Sequence, residues 1–90
     1  MDIIIDAIEA AAVLVHAQTA YESIEEAEGY MKTYASQIEN MESKYLDKSI
    51  DEIDIIQREL RQLKHSLEDI ATTMTEFLES YVEQDESINL

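Results

Sequence analysis

The sequence contains no proline, no cysteine and no tryptophan, and its only glycine is Gly29. Proline and glycine are the residues that most often interrupt helices, so their scarcity predicts helix almost throughout the 90 residues. Without cysteine the chain has no disulfide framework, no thiolate nucleophile and no cysteine-bound metal.

Basic residues are also scarce, with 6 against 21 acidic residues and a formal net charge of −15. Such a charge repels phosphate backbones and anionic lipid headgroups, so direct nucleic-acid or membrane-surface binding is disfavoured. All the basic residues lie between Lys32 and Lys64, and the segments on either side are acidic. Those two segments are either surfaces tuned for solubility or a docking site for a basic partner.

The amino-terminal segment is apolar, but Asp2, Asp6 and Glu9 stand where a signal peptide needs positive charge. The segment is also too short and too charged to span a bilayer. We expect a cytoplasmic protein that, if it is exported, leaves the cell without a cleaved signal peptide.

Apolar residues recur every seven positions in two series, which predicts two long helices. The first series has at position a Ile3, Ala10, Ala17, Ile24, Met31, Ile38 and Tyr45, and at position d Asp6, Val13, Ala20, Ala27, Tyr34 and Met41. The second has at position a Ile53, Leu60, Leu67, Met74 and Tyr81, and at position d Ile56, Leu63, Ile70 and Phe77. Positions a and d are expected to form the buried seam of each helix.

A short polar interruption separates the two series, and Ser49 with Glu52 matches a capping box at the start of a helix. The sequence predicts a single domain. Its segments are helix one at about 2–45, a turn at about 46–49, helix two at about 50–83 and an acidic tail at 84–90. A connection this short makes the helices antiparallel neighbours. The predicted fold is therefore all-α, a helical hairpin.

Helix one is apolar well beyond its seam near the amino terminus, and a helix that is apolar on all faces belongs in a core. Helix two covers only one side of it, so we expect pairing with a partner into a four-helix bundle, or a homodimer. The predicted partner interface comprises Ile4, Ile5, Ile8, Ala11, Leu14, Val15, Ile53, Leu60, Leu63, Leu67, Ile70, Met74 and Phe77.

Catalytic and metal-binding patterns are missing from the sequence. The two histidines, His16 and His65, are preceded at the spacing of a Glu-x-x-His metal motif by Val13 and Gln62. The acidic pairs are expected on solvated helix faces, which do not separate carboxylate pKa values as acid–base catalysis requires. We expect no enzyme activity, no cofactor and no metal.

The layout resembles the small acidic hairpins of the WXG (ESAT-like) superfamily, which type VII secretion systems export. That family carries a Tyr-x-x-x-Asp/Glu export signal just past its second helix, and this chain has Tyr81 and Asp85 in the corresponding place. Tyr21 and Glu25 form a second match to the same short pattern.

The turn departs from the family pattern, because Lys44–Ser49 stands where Trp-x-Gly is usual. The chain is more similar to the divergent helical partners of LXG-domain toxins. The resemblance implies a chaperone-like targeting factor that binds the helical amino-terminal domain of a secreted toxin, or a second small helical protein, with Tyr81 and Asp85 as part of the export signal.

Two other functions fit the sequence. The acidic segments are compatible with a phage-type inhibitor that mimics nucleic acid and occupies the basic groove of its target. The continuous heptads are compatible with a homodimeric coiled-coil adaptor.

Overall fold

The computed structural model describes residues 3–41 and 46–88, and side chains within 4–41 and 46–81. The described residues form two helices, α1 (Ile3–Glu39) and α2 (Asp47–Ile88), and no strand. Segments of both helices pack together in each half of the molecule, so the predicted all-α helical hairpin is confirmed.

Helix α1 ends earlier than the heptad pattern predicts, at Glu39 and not near residue 45. The Asn40 amide donates a hydrogen bond to the Ser36 carbonyl, and the Met41 amide donates to the Ile38 carbonyl. The second bond spans only three residues, which tightens the last turn and satisfies carbonyls that a helix end leaves unpaired. Tyr45, the last predicted position a of this series, lies outside the described residues.

Helix α2 begins at Asp47, before the predicted capping serine. The Asp47 carboxylate lies in the first turn, where negative charge interacts favourably with the helix dipole. Ser49 therefore lies within the first turn and does not precede it. The helix also continues past the predicted end to Ile88, because Glu83, Gln84 and Glu86 are good helix formers.

The single domain predicted from the sequence divides into two compact units. Unit 1 comprises Met1–Ala20 and Ser66–Leu90, and unit 2 comprises Tyr21–His65. Unit 1 holds ten acidic residues and no lysine or arginine, whereas unit 2 holds all six basic residues of the chain. The charge asymmetry noted in the sequence is therefore an asymmetry between the two units.

The interior of the hairpin uses positions a and e of each heptad. Position e lies four residues after position a, and every described position e is half-buried. In α1 these residues are Ala7, Leu14, Tyr21, Glu28 and Ala35, and in α2 they are Gln57, Lys64, Ala71 and Leu78. The predicted a and d seam is therefore wrong in its second position.

Position d is mostly exposed as a result. Among the described d positions only Ala20, Ala27 and Phe77 are half-buried, and the others are exposed. Positions d and e flank position a on opposite sides, so two helices that pack through a and e leave d at the edge of the contact. The alanines at position e allow the helices to approach closely, and an ion pair between Lys64 and Glu28, both at position e, also joins them.

Candidate helix-binding surfaces

The first surface is the outer face of α1 in unit 1, on the side turned away from positions a and e. Ile4, Ile5, Ile8 and Val15 are exposed over 61%, 50%, 65% and 62% of their surface. Ala11 is exposed on the same helix. We call Ile4, Ile5, Ile8, Ala11 and Val15 the outer face.

The outer face is an unusual surface for a small protein in water. Single exposed aliphatic residues are ordinary, whereas clusters of large ones are typical of interaction surfaces. Each large aliphatic side chain is about 1.5–3 kcal/mol more favourable when buried than when exposed. Covering this surface would therefore stabilise a complex substantially.

The second surface is a groove in unit 1 between the two helices, on the side of position d. One pocket of the groove has a volume of about 290 Å³ and is lined by Asp6, Glu9, Ala10, Val13, Met74 and Phe77. An adjoining pocket of about 230 Å³ is lined by Val13, His16, Ala17, Ala20, Leu67 and Ile70. We call the two pockets together the d-side groove.

Small residues form the floor of the d-side groove. Ala10 and Ala17 are buried, with 5% and 6% of their surface exposed, and they lie seven residues apart on α1. Larger side chains at these positions would fill the space that the alanines leave. The walls, Val13 from α1 and Ile70 from α2, remain partly exposed.

A charged cluster joins the two helices within unit 2. The Lys64 ammonium donates a hydrogen bond of 2.9 Å to Glu28 Oε1, and Glu25 Oε2 lies 3.9 Å from the same nitrogen. The ammonium also lies 4.9 Å from the centre of the Tyr21 ring, in a cation–π contact. The cluster joins positions e of α1 and α2 and thereby favours the observed rotation of the helices.

The surroundings of Lys64 stabilise its charged form. The hydrogen bond to Glu28 raises the pKa of the Lys64 ammonium above its ordinary value of 10.5, and the nearby Glu28, Tyr21 and Glu25 charges act in the same direction. Partial burial lowers the pKa of Lys64, but this effect is smaller than the hydrogen bond.

We expect Lys64→Met to lower the melting temperature at neutral pH by a few degrees, with Lys32→Met, an exposed lysine of the same unit, as the control. Because the pKa of Lys64 is raised on folding, its contribution is present below pH 10.5 and is lost as pH rises through the folded value. Thermal melts of the wild type and Lys64→Met should therefore differ by a constant amount from pH 7 to about 9 and converge at higher pH. A difference that grows with pH would contradict this assignment.

The predicted interface residues of α2 divide into two groups in the structure. Ile53 is buried, and Leu60, Leu67, Met74 and Phe77 are half-buried. Leu63 and Ile70, both at position d, are exposed. In α1, Leu14 is half-buried at position e. The residues at a and e therefore pack within the hairpin, whereas the outer face and the d positions Leu63 and Ile70 are exposed.

The tyrosines follow the same division. Tyr34, which the sequence places in the seam, is exposed and stacks on the exposed Tyr30, with ring centres 6.5 Å apart. Tyr81 is half-buried at position a of α2. The backbone of Asp85 lies within α2, one turn after Tyr81, and its side chain lies outside the described residues.

Residues 3–41 and 46–88 contain no group of three histidine, aspartate or glutamate side chains that could hold a metal ion. The same residues include no helix that is long and apolar enough to cross a membrane. The buried described positions are all apolar, namely Ala10, Ala17 and Ile53.

The sequence predicted the outer face but not the d-side groove. The outer face was visible because residues 4–15 are apolar on nearly every side of the helix. The groove was missed because its d-position walls were assigned to the interior. The lysine at position e of α2, opposite glutamates of α1, was the signal that could have indicated the rotation.

Comparison with known proteins found no relative of the chain. No protein-family model matches the sequence, and no curated protein or solved structure is significantly similar to it.

Proposed function

We propose that the chain is a non-enzymatic helical binding protein that acts as a chaperone-like partner and targeting factor for a secreted toxin of the LXG type. The observation that carries the proposal is the outer face of α1, where four large aliphatic side chains are each at least half exposed. The helical amino-terminal domain of such a toxin supplies the apolar helices that this surface lacks. Two added helices would complete a four-helix bundle.

The proposed binding mode follows from the heptads. In unit 1, packing through positions a and e keeps the d positions and the outer face available to further helices. Helices that pack at about 20° in a bundle insert side chains between those of their neighbours, and alanines at the contact permit close approach. The arrangement favours helical partners over a flat protein surface.

The targeting role in the proposal rests on Tyr81 and Asp85. Residues four apart are one turn apart on a helix, and α2, which continues to Ile88, includes the backbone of both residues. In the WXG-like proteins that this chain resembles, the equivalent pair is part of the export signal. The half-buried Tyr81 would then have both a packing and a recognition role.

A secretion assay tests the targeting role. The chain is produced together with an LXG toxin in a bacterium that has a type VII system, and toxin in the medium is measured. We expect Tyr81→Ala and Asp85→Ala to reduce export at least tenfold while the toxin still co-purifies with the chain. Tyr30→Ala, which changes an exposed tyrosine of unit 2, is the control and should leave export unchanged. Normal export by Asp85→Ala would remove the signal role and leave the binding role standing.

A second candidate function is supported by the charge of unit 1, which carries ten acidic residues and no lysine or arginine. An acidic inhibitor that occupies a basic nucleic-acid groove needs such a surface. Its binding would weaken steeply with salt, whereas helix pairing through apolar side chains would persist. Binding that survives 1 M salt would exclude the mimic.

A further inference from the structure

The d-side groove of unit 1 is open and apolar, and its dimensions fit side chains from another helix. Ala10 and Ala17 form its floor, and seven residues of helix correspond to about 10.5 Å. A helix lying along the groove presents side chains at the same heptad spacing. Two successive layers of large side chains can therefore enter the two pockets, one above each alanine.

The chain itself does not fill this space in the part that the structure describes. Val13 belongs to both pockets and remains 38% exposed, and Ile70 across the groove remains 43% exposed. An aliphatic wall left open on both helices indicates a surface that another molecule covers.

The charges around the groove indicate what covers it. Asp6 and Glu9 line the first pocket, and both are exposed. Elsewhere unit 1 contains further acidic residues and no lysine or arginine. A helix with lysine or arginine beside its apolar side chains would meet opposite charge along this edge.

A second copy of the chain fits the groove less well. Pairing unit 1 with unit 1 would bring twenty acidic residues together with no lysine or arginine. Pairing unit 1 with unit 2 would set ten acidic residues against a unit that is itself negatively charged overall. Like charges brought together at an interface oppose association.

We propose that the d-side groove binds an amphipathic helix of another protein, whose bulky apolar side chains fill the space above Ala10 and Ala17 and whose lysine or arginine side chains face Asp6 and Glu9. This inference rests on the proposed function and specifies it, because it states the chemistry of one partner helix. It assigns to the groove a helix distinct from the one that covers the outer face.

Two synthetic helical peptides test the charge requirement. Both have three heptads with leucine at positions a and d, and the flanking positions carry lysine in one peptide and glutamate in the other. We expect the lysine peptide to bind the full chain in a fluorescence anisotropy titration and the glutamate peptide not to bind. Asp6→Asn combined with Glu9→Gln should weaken binding of the lysine peptide and reduce its salt dependence.

Two valines on one helix test the location. Val13 lines the groove and Val15 belongs to the outer face, so Val13→Gln and Val15→Gln make the same change two residues apart. We expect Val13→Gln to weaken peptide binding by about tenfold or more and Val15→Gln to leave it unchanged. Ile70→Gln repeats the test from α2, with the exposed Ile55→Gln of unit 2 as its control. Circular dichroism confirms that each variant retains its helix content.

Three results would overturn the proposal. The first is equal binding of the two peptides, and the second is equal weakening by Val13→Gln and Val15→Gln. The third is a dimer of the isolated chain that dissociates when Val13 is changed, since a second copy would then occupy the groove. If the toxin domain still co-purifies with Val13→Gln but not with a variant of the outer face, the groove assignment alone fails. If the toxin domain does not co-purify with the wild type while the lysine peptide still binds it through Val13, the proposed function fails and the groove assignment stands.

Discussion

Replacing Ile53 by alanine is expected to reduce the free energy of unfolding by about 2–5 kcal/mol, the usual cost of truncating a buried isoleucine. Ile53 is 8% exposed at position a of α2, and it is the largest of the residues that are buried in the described part of the chain. Small domains are stable by only about 5–15 kcal/mol, so this single change would remove a large share of the total. A urea titration followed by circular dichroism measures the loss.

Ile55 provides a matched control for this prediction. It lies two residues further along α2 in the same unit and is 49% exposed. Ile55→Ala makes the same chemical change, and we expect it to alter stability by less than about 1 kcal/mol because alanine also favours helix. Equal losses in Ile53→Ala and Ile55→Ala would show that position a is not the interior of the hairpin.

The two helices and their position a could be predicted from the sequence because a seven-residue repeat is a strong and redundant signal. Ala10, Ala17 and Ile53 all belong to that repeat, and all three are buried. The missing proline and the single glycine leave few other places where a chain of this composition could turn. The composition and the seven-residue repeat therefore both predict the helical hairpin.

The second interior position could not be read from the same pattern. Position d is more apolar than position e in both helices, so the usual rule for coiled coils selects d. That rule assumes that the two helices of the hairpin pack only on each other. In this chain the hairpin packs through e, where Lys64 meets Glu28 across the helices, and the more apolar d positions remain partly exposed.

The ends of the helices were predicted poorly for a different reason. Helix ends depend on which backbone groups find hydrogen-bond partners, and several residues near the turn are suitable caps. The Ser36 and Ile38 carbonyls accept bonds from Asn40 and Met41, which ends α1 before its heptad pattern ends. Asp47 is an acceptable first-turn residue two positions before Ser49, so the capping-box pattern did not determine where α2 starts.

The two candidate surfaces of unit 1 have different chemistry. The outer face consists of aliphatic side chains and alanine, so its binding should depend mainly on buried apolar area and little on salt. The d-side groove combines an apolar floor with Asp6 and Glu9 at its edge. Binding to the groove should therefore depend on both buried apolar area and salt concentration. A bundle built on this hairpin would therefore use one helix that is apolar and one that is basic at its flanks.

Changing Ile4 and Ile8 together to glutamine is expected to weaken the complex with a helical partner at least about a hundredfold, which is the largest effect expected on binding. Each isoleucine contributes about 1.5–3 kcal/mol when it is buried, and about 1.4 kcal/mol corresponds to a tenfold change in affinity. Both side chains are more than half exposed in the hairpin, so the double variant should keep its helix content. Isothermal titration calorimetry with the LXG toxin domain measures the affinity, and thermal melts of the isolated chain measure its stability.

A second double variant tests whether the loss of binding is specific to the outer face or follows from removing any exposed apolar side chains. Ile55→Gln combined with Ile56→Gln removes two exposed isoleucines from α2 in unit 2, so it matches the first variant in size and chemistry. We expect this control to bind the partner with the affinity of the wild type. If both double variants lose binding to the same extent, the partner recognises exposed isoleucine wherever it occurs, and the first half of α1 has no special role. If neither loses binding, the outer face is not the contact surface, because a buried interface cannot accept two glutamines without a large loss of affinity.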